Sequence, residues 1–168
     1  MQMNTGVILT LLCAIGIWLY ARWRSPRPEF APLATADDDP LMLAAFARAK
    51  ESRPRFLSLA RAPHGHALVK LRFVSSSGQT EHVWAEVLEV LSDTELGIRL
   101  VTPPVTHSGP LERLHRCSID EVEDWQVRDA DDRIHGGYSQ QAMYAIARRD
   151  GVSLPKALLQ HEAKYTDL

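Results

Sequence analysis

The chain falls into stretches that follow three different rhythms of apolar and polar residues. Residues 6–21 are apolar or small throughout, carry no charge and have no polar face. A bilayer takes a helix of about 20 apolar residues, with roughly 17 tolerated, so this run predicts a single membrane span. Residues 25–32, with Pro26, Pro28 and Pro32 among polar neighbours, predict an extended spacer that continues to Asp38. At Asp39-Pro40 the rhythm becomes helical. Asp39 is placed to cap, and Pro40 sits in the first turn, where its missing N–H is not needed. A stripe of Leu43, Phe46 and Ala47, joined by Met42 and Ala49, is the face expected to pack on the domain. Pro54 is expected to stop this helix, and residues 56–60 to form a second short one.

From residue 67 onward the period shortens to two. Val69, Leu71 and Phe73 point one way and Lys70 and Arg72 the other, toward solvent. After a serine-glycine turn, residues 81–91 form a second strand with His82, Trp84 and Glu86 on one face and Val83, Ala85 and Val87 on the other. Leu96, Ile98 and Leu100 mark a third strand, residues 113–119 a fourth, Trp125 to Val127 a fifth, and Arg133 to His135 a short sixth ending at Gly136-Gly137. Ser139 is expected to cap a helix over 140–149 that Gly151 ends, and Ser153 and Pro155 to open a last helix. The prediction is an α+β chain: a membrane anchor over 1–24, a proline-rich linker over 25–38, and a domain over 39–168. In that domain an antiparallel sheet is flanked by an N-terminal helix and C-terminal helices.

The flanks of the apolar run decide how it is read. A cleaved signal peptide wants a basic start and small residues before the cut, yet residues 1–5 hold no Lys or Arg and the run ends in Trp18-Leu19-Tyr20. A lipoprotein would need a small residue before Cys13, where Leu12 stands. An uncleaved anchor fits best. Arg22, Arg24 and Arg27 all follow the span, which by the positive-inside tendency places the domain in the cytoplasm, with the periplasm as the alternative. A formal net charge of -2 gives no basic field for nucleic acid. The two cysteines, Cys13 and Cys117, offer neither an intradomain disulfide nor a paired-cysteine metal site.

Several motifs in order, Asp39-Pro40, Glu81-His82-Val83-Trp84, Pro103-Pro104-Val105, Asp124-Trp125 and Ile134-His135-Gly136-Gly137-Tyr138-Ser139, resemble the bacterial YegJ-like family, a domain of unknown function. The resemblance implies a small α+β domain without an established activity, often carried behind a signal or anchor, and places the anchor over 6–21 in a bacterial inner membrane. The family usually has Thr where this chain has Ser139, and commonly Arg where it has Gln141.

Two groups are candidates for a ligand or partner surface: His82, Trp84 and Glu86 on one strand face, and Asp124, Trp125, Gly136, Gly137 and Tyr138 around the glycine pair. A strand-face histidine beside an indole can bind, or simply pack. Glycines beside an indole permit close backbone approach, by a ligand or by the chain itself. A nucleophilic set of Cys117, His82 and Asp124 can be written down, but nothing in the spacing brings the three together. His64-Gly65-His66 supplies two metal ligands where catalytic zinc wants three, and the acidic residues 120–132 lack the glycine placement of a calcium loop. No cofactor, metal or catalytic residue is assigned. The function expected is a membrane-anchored, non-enzymatic module with a protein partner and no nucleic acid. The alternatives are a small hydrolase-like enzyme using His82 with Asp124 or Cys117, or an immunity-type protein that binds a toxin.

Overall fold

The computed structural model describes residues 38–63, 65–74, 78–101 and 114–166. The predicted span over 6–21 and the spacer before Asp38 lie outside them, as does His64. Among the described residues no helix is long and apolar enough to cross a membrane. The elements run α1 (Pro40–Glu51), α2 (Arg53–Arg61), β1 (His66–Val74), β2 (Thr80–Val90), β3 (Glu95–Leu100), β4 (Leu114–Ser118), a 3-10 turn (Ile119–Glu121), β5 (Val122–Arg128), β6 (Ile134–Gly136), α3 (Tyr138–Arg149) and α4 (Lys156–Glu162). This is the expected α+β arrangement, with every strand pair antiparallel.

The six strands lie in the order β4-β3-β2-β1-β5-β6, and that order forces the sheet to curl. In a flat sheet β4 and β5 would stand four spacings apart, about 19 Å. They are joined only by Ile119–Glu121, and a 3-10 turn advances about 2 Å per residue. The sheet therefore rolls until β4 and β5 approach, and the apolar residues pointing inward fill the roll. Val69, Leu71, Val83, Ala85, Val87, Leu96, Ile98, Leu100, Trp125 and Val127 are all buried. Register puts Val69 opposite both Ala85 and Trp125, so these share one face, while Lys70 stands opposite Trp84 and Asp124 on the other. The alternation predicted for β2 is the one observed, with Val83, Ala85 and Val87 buried and His82, Trp84 and Glu86 partly exposed.

The short connection is held from outside by Arg53 at the start of α2. Its guanidinium donates to the Asp120 carboxylate (2.9 Å), the Asp120 carbonyl (3.0 Å) and the Val122 carbonyl (2.8 Å). Pro54 thus sits in the first turn of α2 rather than ending a helix, since α1 has already closed at Ser52. We expect Arg53→Ala to lower stability by about 2 kcal/mol, because it leaves two carbonyls of the turn without their donor. A denaturant titration checks this, and a loss below about 0.5 kcal/mol would show that the clamp is idle.

Asp39 caps α1 as expected, accepting from the Leu41 N–H at 2.9 Å. The buried stripe is different from the one predicted: Met42, Ala45 and Ala49 face inward, Phe46 is half-buried, and Leu43 and Ala47 face solvent. The reason is that α1 packs against α3 as well as β5, so small residues occupy the line of closest approach.

Candidate functional site

The structure brings part of the two groups together: Lys70 stands opposite both Trp84 and Asp124, while Trp125 lies on the other face of the sheet. Asp124 is fully buried. One of its oxygens accepts from the backbone N–H of Trp125 (2.8 Å) and Tyr138 (3.2 Å). The other accepts from the backbone N–H (2.7 Å) and hydroxyl (2.6 Å) of Ser139. A carboxylate from a strand thus satisfies the free N–H groups at the start of α3, where the helix dipole also favours negative charge. Ser139 is not the cap that the sequence suggested. The helix begins two residues earlier, at Tyr138, after Gly137 in a left-handed conformation (φ 67°), and Ser139 lies inside it. Burial, the largest effect, raises the Asp124 pKa; the bonds from Ser139 and Trp125 and the charge of Lys70 lower it.

Lys70, expected to point into solvent, is half-buried. Its ammonium donates to the Ser139 hydroxyl at 3.2 Å, and lies 5.8 Å from the centre of the Phe46 ring and 5.9 Å from that of Trp84. The run Lys70–Ser139–Asp124 is a polar chain from the outer face of β1 to the start of α3, walled by two aromatic rings. Beside it His82 shares its Nδ1 with the Glu123 carboxylate at 2.6 Å and stacks on Phe46, ring centres 6.2 Å apart. Glu123 reaches His82 because it is the extra residue of a bulge in β5, between the partners of Lys70 and Leu71. Glu86 is joined to Arg99 and to His66 (3.5 Å). Lys70, Ser139, Phe46 and Glu123 were not among the predicted site residues. Register bears on Lys70 alone, which pairs with both Trp84 and Asp124; Phe46 and Ser139 arrive from helices packed on the sheet.

Trp125 has no exposed surface and lies on the face opposite Trp84. Its indole N–H is shared between the Ala49 carbonyl (3.2 Å) and the Ser52 hydroxyl (3.1 Å), with the rings of Phe56 and Tyr138 against it. The glycine pair serves two different approaches. Gly136 (φ 74°) backs onto Trp125, where an added Cβ would meet the Trp125 carbonyl and, at 2.6 Å, its ring. Gly137 faces Tyr165, where a Cβ would fall 2.5 Å from the ring. Gln141, at the position where the resemblance implied an arginine, donates to the Gly136 carbonyl at 2.8 Å.

Cys117 shares an open cavity of about 460 Å³ between β1 and β4 with Glu123, but not with His82 or Asp124; Leu71, Phe73 and Ile98 are among the walls. Burial pushes its thiol up to about 11, with Glu121 and Glu95 adding to the shift, so it is protonated at neutral pH. Among the described residues no group of three or more His, Cys, Asp or Glu is placed to hold a metal.

A family profile of uncharacterized proteins conserved in bacteria, DUF2314, matches residues 39–151. The chain belongs to this family. The matched span opens at the α1 cap and closes just after α3, so the whole sheet, Asp124 and the glycine pair lie within DUF2314, and α4 with the residues after it lies outside. No curated protein and no solved structure is significantly similar to the chain.

Proposed function

We propose that this DUF2314 protein is a membrane-tethered, non-enzymatic protein-interaction module of the YegJ-like kind. The observation that supports the reading is how the groups suited to chemistry are engaged. Both Asp124 oxygens are taken by the start of α3, His82 is taken by Glu123 and Phe46, and the Cys117 thiol is buried and protonated. What the outer face offers is a partly exposed indole, Trp84, braced by Lys70. Aromatic residues in such settings commonly dominate binding energy. The uncharged run 6–21 supplies the tether, and the three arginines after it favour a cytoplasmic domain.

The test is cross-linking of the full chain in bacterial membranes, with identification of the protein that co-purifies. Trp84→Ala is expected to weaken that association about 30-fold while thermal unfolding changes little. Association that survives both Trp84→Ala and His82→Ala would sink the reading. The identity of the captured protein separates a toxin from other partners, and a reporter at Leu168 separates cytoplasm from periplasm.

A further inference from the structure

The residue that approaches Gly137 belongs to the chain itself, in a segment the family match does not include. After α3 the chain returns through α4 and lays residues 164–166 along the outer edge of β6. The Ile134 N–H donates to the Lys164 carbonyl (2.8 Å) and the Thr166 N–H to the Ile134 carbonyl (3.0 Å), making a parallel bridge between Ile134 and Tyr165. Tyr165 is buried, its ring edge-on to Tyr144 (6.4 Å) and His161 (5.4 Å) and seated on Gly137. Little else in the segment is buried: no residue of α4 is. Its other ties are polar: Glu162 to Arg148, Lys164 to Asp132 and Thr166 to His135 (3.0 Å) near the surface, and His161 to the hydroxyl of the buried Tyr144 (2.9 Å). The strap is thus one aromatic anchor and one strand bridge, and its exposed ion pair, Lys164 with Asp132, adds little.

We propose that the β6 edge with its Gly137 shelf is a strand-docking site occupied in cis by residues 164–166, and that its partner in trans is an extended peptide with an aromatic residue in the place of Tyr165. A free strand edge is a template for an added strand. The left-handed glycine without a side chain leaves room for the ring, and Gln126, within 3.5 Å of the Tyr165 hydroxyl, offers that ring's hydroxyl an acceptor. The proposal is independent of the Trp84 face and stands or falls without it.

The probe is a labelled peptide of sequence 160–168, added to the full chain, to full-chain Tyr165→Ala, and to a chain ending at Gly151. Tethering gives the strap a large effective concentration, so binding to wild type is expected to be about 100-fold weaker than to the two variants. A peptide with alanine at the Tyr165 position is expected not to bind. Equal binding to wild type and variants, or no binding to a folded variant, overturns the proposal. Hydrogen exchange on the wild-type chain covers the case in which both variants unfold. The Ile134 and Thr166 amides are expected to exchange together and well before those of Trp125 and Val127; exchange only with global unfolding overturns the proposal.

Discussion

Asp124→Ala is expected to destabilise the domain by about 3–5 kcal/mol, as for loss of one partner of a buried charged network. The carboxylate accepts three backbone N–H bonds and one hydroxyl. Alanine leaves those buried donors with no acceptor, strips α3 of its cap, and leaves Lys70 at the end of a chain with no negative terminus. Asp124→Asn separates shape from charge. The amide matches the volume, but one end of it donates where the site also donates, so about 2–3 kcal/mol of the loss is expected to remain. The measurement is equilibrium unfolding in urea of a fragment beginning at residue 38, followed by circular dichroism. Lys70→Met, which removes the charge and keeps the stem between Phe46 and Trp84, is expected to cost less than Asp124→Ala. If Asp124→Asn matches wild type, the carboxylate is not what holds α3.

This effect was not legible in the sequence, and the reason is physical. Caps are sought in the residues just before a helix, and Ser139 stood where one would look. The actual cap comes from a strand that precedes α3 by more than a turn and a hairpin, because the left-handed Gly136 and Gly137 fold the chain back over β5. Local features were easier to read. Period two in β1, β2 and β3 tells which side chains share a face, and the observed burial follows it at Val69 and Leu71, at Val83 to Val87 and at Leu96 to Leu100, breaking only at the bulge after Val87. Failures came where a second neighbour intervenes. Leu43 looked like a core residue until α3 took the other side of α1, and Lys70 looked solvated until Ser139 was brought over it. The polar β1 face was therefore read as exterior although part of it carries the chain that ends at Asp124.

Gly136→Ala is expected to be still more damaging, by at least about 4 kcal/mol or to the point of no folded protein. Two independent penalties meet there. At φ 74° a Cβ-bearing residue carries about 1–2 kcal/mol of steric strain. The new methyl would also press on the Trp125 carbonyl and ring, and neither can yield. The indole is fixed by Ala49 and Ser52 and walled by Phe56 and Tyr138, while the Trp125 carbonyl already accepts the Gly137 N–H at 2.6 Å. Gly78 and Gly151 supply the controls. Both have positive φ and nothing within 4 Å of an added Cβ, so Gly78→Ala and Gly151→Ala isolate the backbone strain of about 1–2 kcal/mol. Gly137→Ala falls between, since the atoms it meets belong to Tyr165 on a strap that can swing away. Unfolding curves for the four alanine variants should therefore rank Gly136 first, Gly137 second and the two open glycines last. If Gly136→Ala costs no more than Gly78→Ala, the close seating of this glycine on Trp125 is wrong, and with it the reason this chain's glycine pair lies beside its tryptophan.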